Sequence, residues 1–192
     1  MNVCVFGASS RSLDEIYYID AAEMGRLLAE GGDTIVYGGG AEGLMGACAK
    51  AAVQAGGEVI GIAPKFFDEP GILYDKCRMM FTDTMRERKQ LMQDNSSACV
   101  VLPGGIGTLE EFFEMLTLKQ LGQDDRAIII LNTAGCYDDM LAMLKEMAAR
   151  RFMADDCLEL YTVASTPHEA MEQLKSYTPK SGSIHRLEDY SK

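Results

Sequence analysis

Two stretches of the chain, Ala98-Cys99-Val100-Val101-Leu102 and Ala127-Ile128-Ile129-Ile130-Leu131, are apolar at every position. A strand with one wet face alternates polar and apolar residues. A strand that never alternates has both faces covered, the condition of strands in a parallel sheet flanked by helices. Further short, largely apolar runs at 2–6, 34–37, 58–62, 78–82 and 160–163 join these two. Between them lie helical patterns at 13–30, 43–55, 85–95, 108–121, 137–150 and 167–177. Strict alternation of the two element types predicts an α/β fold with right-handed crossovers: a Rossmann-like three-layer sandwich around a mostly parallel central sheet.

A chain of 192 residues can bury a full core, and we expect one nucleotide-binding domain over 1–178, followed by a poorly ordered tail over 179–192. The net charge of −11 and the lack of a basic tail argue against a nucleic-acid polymer or an anionic membrane surface as partner. No apolar run approaches spanning length and the first is too short for a signal peptide, so the expected location is cytoplasmic. Six cysteines are scattered without a C-x-x-C pair and read as reduced, mostly buried thiols. The two histidines, His168 and His185, lie far in sequence from the glycine-rich turns. A metal site or a histidine-based triad therefore has little support.

Three segments carry the chemistry. In Leu102-Pro103-Gly104-Gly105-Ile106-Gly107-Thr108-Leu109-Glu110-Glu111 an apolar strand ends, the chain turns on glycines, and a helix starts. Glycines let backbone N–H groups converge on an anion, and the helix adds its first unpaired donors and the positive end of its dipole. Thr108 and Glu111 also fit a capping box, a purely structural alternative for both. After the second strand, Gly38-Gly39-Gly40-Ala41-Glu42-Gly43 has the spacing G-x-G-x-x-G. The acidic residue that a dinucleotide site needs at the end of the next strand is missing. In Thr84-Met85-Arg86-Glu87-Arg88-Lys89 a second capping box opens a helix whose first turns hold three cations, against the helix dipole. A bound anion would offset that charge, as would acidic neighbours on an ordinary surface helix. Met85, Arg88, Lys89 and Met92 share one helical face, where methionine can pack on a flat base. Ser9 and Ser10, after the first strand, suit either a helix cap or a ligand. All these turns fall at the carboxyl ends of strands, where parallel sheets bind ligands.

Pro103-Gly104-Gly105-x-Gly107-Thr108-x-x-Glu111, Met85-x-x-Arg88-Lys89 and Val36-Tyr37-Gly38-Gly39-Gly40 with Gly43-Leu44-Met45-Gly46 resemble motifs of the Lonely Guy (LOG) family, the cytokinin riboside 5′-monophosphate phosphoribohydrolases often mislabelled lysine decarboxylases. The resemblance implies an N-glycosidase that splits N6-modified adenosine 5′-monophosphates into base and ribose 5-phosphate, a hydrolysis that needs no cofactor. Arg88 and Glu111 would be catalytic. Lys89, Gly104, Gly105, Gly107, Thr108 and Thr117 would hold the nucleotide, with Gly39, Gly40 and Met85 as further contacts. A general purine 5′-monophosphate nucleosidase and a non-catalytic nucleotide carrier or sensor on the same fold are the alternatives. Apolar residues surround the helix at 108–121, from Leu109 and Phe112 through Leu121, more widely than one sheet contact would cover. That surplus predicts a homodimer.

Overall fold

The structure, a computed structural model, describes residues 1–180, so all of the expected tail beyond Lys180 lies outside the described residues. The described chain forms strands β1 (Asn2–Phe6), β2 (Thr34–Tyr37), β3 (Val59–Pro64), β4 (Arg78–Thr82), β5 (Ala98–Val101), β6 (Ala127–Leu131) and β7 (Thr162–Ala164). The helices are α1 (Glu15–Glu30), α2 (Gly43–Gln54), α3 (Met85–Asp94), α4 (Ile106–Gln120), α5 (Asp138–Ala149) and α6 (Pro167–Ser176). Short 3-10 turns occupy Lys65–Phe67, Thr133–Gly135 and Asp155–Glu159, where the sequence carries no periodic pattern.

All seven strands join one sheet in the order β4-β3-β2-β1-β5-β6-β7, and every pairing is parallel. Its two faces explain the unbroken apolar runs. Val3 and Val5 of β1, with Ile35, Val100, Ile129 and Leu131, pack beneath Met24, Leu28, Leu44, Cys48 and Leu174 of α1, α2 and α6. The residues between them, Cys4, Phe6, Val36, Val101, Ile128 and Ile130, meet Met92, Phe112, Met115 and Leu144 of α3, α4 and α5 on the other face. Each fully buried side chain of this size stabilises the fold by about 1.5–3 kcal/mol, so neither face tolerates a polar residue cheaply. Cys4, Cys48, Cys99 and Cys157 are among the buried positions, and the cysteines of the chain are free thiols.

On the sheet face they cover, α1 and α2 touch backbone to backbone. A Cβ on Gly25 would stand 2.0 Å from the Cys48 carbonyl oxygen, so only glycine allows that approach. Strand order runs outward in both directions from the β1–β5 pair: β2, β3 and β4 on one side, β6 and β7 on the other. The loops after β1 and β5 therefore diverge to opposite faces and leave a crevice at the carboxyl edge of the sheet, the place where such folds accept ligands.

Candidate active site

The helix that follows β5 begins earlier than its sequence suggests. Gly105 is the N-cap of α4, and no side chain bonds to the cap. Thr108 therefore sits in the third helical position, buried, and does not form the capping box with Glu111 that its spacing allowed. The Leu109 N–H bonds to the Gly105 carbonyl at 3.0 Å, so the preceding N–H groups, on Ile106, Gly107 and Thr108, fall in the unpaired first turn. Gly104 packs directly under Thr108, where a Cβ would lie 2.1 Å from the Thr108 hydroxyl oxygen. The turn itself is pinned from two sides. The Ala8 N–H donates to the Pro103 carbonyl at 3.0 Å, and the buried Tyr137 hydroxyl donates to the Leu102 carbonyl at 2.8 Å. Tyr137 was not singled out from sequence, since nothing about a lone tyrosine before a helix signals this role.

A cavity of about 570 Å³ opens over this turn, lined by Gly7 to Ser10, Met45, Met85, Arg88, Lys89, Gly105 to Thr108, Glu110 and Glu111. Its floor is the β1–β5 crevice. Ser9 and Ser10 face it rather than capping α1, which starts at Glu15 after Asp14. The expected capping box of α3 is present, with Thr84 and Glu87 each bonded to the other's backbone. It fixes the direction in which α3 leaves β4 and so aims Arg88 and Lys89.

Arg88 is buried and its side chain runs along the sheet edge from α3. Its Nε donates to the Ile62 carbonyl of β3 at 3.1 Å, and Nη1 donates to Glu111 Oε1 on α4 at 3.0 Å. Lys89 pairs with Glu110 at 2.5 Å and with Glu114 at 2.7 Å. The cations of α3 are thus matched by carboxylates of α4. Two cations face three carboxylates here, so an anion entering the cavity would find its donors mainly in the unpaired N–H groups of α4. Burial pushes the Glu111 carboxyl above its ordinary value, and the Arg88 guanidinium pulls it part of the way back. A carboxyl whose proton affinity is raised and which lines a cavity is placed to exchange a proton with a substrate or water.

Of the remaining sequence-predicted residues, Met85 is exposed on the cavity rim. Gly39 and Gly40 lie outside the lining. The Gly39 carbonyl accepts from the Tyr74 N–H at 2.9 Å, and Gly40 forms an antiparallel bridge with Leu73. Gly43 closes the G-x-G-x-x-G turn in the left-handed region with a φ of 68°, close against the Ala8 carbonyl, and serves packing between loops. Thr117 is exposed, with its hydroxyl bonded to the Phe113 carbonyl at 2.7 Å, away from the cavity. Among the described residues no cluster of histidine, cysteine or carboxylate side chains could hold a metal ion. No described helix is long and apolar enough to cross a membrane.

Residues 45–174 match the model of the family described as "possible lysine decarboxylase". A rice protein named "probable cytokinin riboside 5′-monophosphate phosphoribohydrolase" is 36% identical over 177 residues, covering 92% of this chain and 79% of that protein. The chain belongs to the LOG family. A relative from Mycobacterium tuberculosis, named cytokinin riboside 5′-monophosphate phosphoribohydrolase, is 36% identical, covering 88% of this chain and 90% of its own. One from Arabidopsis thaliana with the same activity in its name is 34% identical over 180 residues, covering 92% of this chain and 83% of its own. Among solved structures, a molybdenum cofactor binding protein from Rippkaea orientalis superposes with a TM-score of 0.71 at 22% identity, covering 91% of this chain and 95% of its own. The carrier protein for the same cofactor from Chlamydomonas reinhardtii gives 0.70 at 23%, covering 91% and 94%. At that identity the likeness concerns the fold alone: the same layered sheet frames LOG proteins and carriers, and chemistry is decided by what lines the crevice.

Proposed function

We propose that this LOG-family chain hydrolyses the N-glycosidic bond of N6-substituted adenosine 5′-monophosphates, releasing the free base and ribose 5-phosphate. The observation that carries the proposal is the contact of Arg88 with Glu111 at 3.0 Å inside the cavity that the first turn of α4 opens into. The activity named for the relatives supports the same reaction class.

In this reading the 5′-phosphate accepts from the N–H groups of Ile106, Gly107 and Thr108, with Lys89 nearby. Binding energy spent there, remote from the scissile bond, holds the ribose for reaction. Glu111 stands one turn further along the same helix, facing the sugar. As the base departs, the ribose acquires oxocarbenium character, by analogy with glycoside hydrolysis. The electron pair of the C–N bond leaves with the purine, which takes its proton from solvent water. The Glu111 carboxylate stabilises the ribosyl charge and takes a proton from the water that attacks the anomeric carbon. Arg88 occupies Oε1, which orients the carboxylate and leaves Oε2 for the substrate. Met45 and Met85 offer polarisable surfaces for the purine and its N6 substituent.

The test is a product separation. Incubated with N6-isopentenyladenosine 5′-monophosphate, the protein should release free base, and Glu111→Gln should bind the nucleotide without releasing it. Full activity in that variant would sink the assignment of Glu111. Cleavage of AMP or GMP at least as fast as the substituted nucleotide would instead indicate a general purine nucleosidase. Binding without cleavage would indicate a carrier. A homodimer completes the proposal, supported by Leu109, Phe113, Leu118 and Leu121, which stay only partly covered along α4 within one chain. Sedimentation as a monomer at micromolar concentration would count against it.

A further inference from the structure

The guanidinium of Arg88 has a third neighbour besides Ile62 and Glu111. A Cβ built on Gly38, at the end of β2, would lie 2.0 Å from Arg88 Nη2, 3.1 Å from Cζ and 3.6 Å from Nε. The three atoms nearest to that missing Cβ all belong to this one guanidinium. The backbone does not call for glycine here, because Gly38 lies outside the left-handed region that Gly39 occupies with a φ of 77°. No positive φ reserves this position for glycine. What excludes a side chain is the space Arg88 fills.

Sheet order gives this contact its meaning. Arg88 departs from α3, which follows β4 and packs against β3 and β4, and Glu111 stands on α4, which follows β5 and packs against β1. To meet Glu111 the arginine must pass over the ends of β3 and β2, bonding to the Ile62 carbonyl on the way. We propose that Gly38 is a positioning residue for Arg88: the absent side chain at the end of β2 is the slot in which the guanidinium lies flat, and it fixes where Arg88 meets Glu111 and the ribose. This rests on the hydrolase reading above for its catalytic consequence, though not for its steric content. Gly38→Ala leaves the strand intact, since the obstructing group is the end of a side chain rather than backbone. The guanidinium must then give up its place against Ile62, Glu111 or both.

Steady-state kinetics of Gly38→Ala should show kcat reduced at least tenfold with KM changed less than about threefold, because the phosphate donors lie on α4. The acid limb of the pH profile should move upward. Arg88 is the main group holding the Glu111 proton affinity down, against burial and Glu110, with Lys89 assisting. The buried thiols of Cys4 and Cys99 lie in the same field. Thermal melting completes a double-mutant cycle: Gly38→Ala should lower the midpoint in the native background and leave it unchanged in Arg88→Ala. A kcat within threefold of the native value, or equal melting losses in both backgrounds, overturns the proposal. The melting cycle reads the same steric relation even for a protein that releases no base, so failure of the hydrolase reading and failure of this inference are separable.

Discussion

Gly107 offers a test in which stability and function move in opposite directions. It lies in the second position of α4, it lines the cavity, and a Cβ placed on it meets nothing within 4 Å. Folding alone would favour alanine there: glycine in a helix costs about 0.5–1 kcal/mol relative to alanine. For a domain of this size each kcal/mol is worth about 2–4 °C in melting midpoint, so Gly107→Ala should melt about 1–4 °C higher than the native protein. The added methyl group projects where the phosphate is proposed to sit against the N–H groups of Ile106, Gly107 and Thr108. Losing one hydrogen bond to a charged group costs about 1.5–3 kcal/mol, which corresponds to about a tenfold to 150-fold fall in kcat/KM. Differential scanning fluorimetry with a base-release assay on the same samples measures both quantities. A higher midpoint with unchanged kcat/KM would show that no anion approaches this turn, and the phosphate assignment would be wrong. A lower midpoint would refute the claim that the position is open.

Gly25→Ala should act in the opposite sense, since its Cβ would press on backbone, 2.0 Å from the Cys48 carbonyl oxygen. Overpacking of this kind costs up to about 3 kcal/mol. Set against the roughly 0.5–1 kcal/mol that alanine returns in helix propensity, a net loss of about 1–2.5 kcal/mol should lower circular dichroism melts by about 2–10 °C. For Glu111 the sign follows from its raised proton affinity: stability is complete below the ordinary glutamate range and is lost as pH rises through the raised value. Across that window Glu111→Gln should therefore gain stability relative to the native protein in urea titrations, while the native enzyme's activity rises with ionisation. Lys119, fully buried and donating to the Arg126 carbonyl and the Tyr177 hydroxyl, has its ammonium pushed down to about 8 by burial. A depressed base favours the fold at high pH and loses that contribution as pH falls toward 8, so Lys119→Met should flatten the stability difference between about pH 8 and 10.

How far the chain could be read in advance varies by level. The bounds of β1, β2, β4 and β6 coincide with the runs read from sequence; for β1, β2 and β6 the reason is burial on both faces, whereas β4 is a half-exposed edge strand whose bounds follow from its pairing with β3. The start of α4 does not follow the capping rules. They point to Thr108, yet the helix opens on Gly105, where no side chain can advertise the cap. That difference matters chemically, since it places the free donors of the first turn over the crevice and returns Thr108 to the interior. The extra 3-10 turn at Lys65–Phe67 and the pairing of Gly40 with Leu73 were equally invisible, because both depend on where the segment before β4 folds back.

From the residues alone came the layer architecture, the glycine turn ahead of a helix, and a cluster of cations at the start of another; the pairing of Arg88 with Glu111 came from the resemblance to the LOG motifs. Periodicity and turn chemistry are local properties, legible within a few positions of each other. The encounter of Arg88 with Glu111, separated by 23 residues, is not of that kind. It arises because the strand order turns back between β1 and β5, and because Gly38 and the Ile62 carbonyl, distant from both in sequence, leave a path for the arginine along the sheet edge. Distances of this sort are set by the packing of the layers, and only the folded chain contains them.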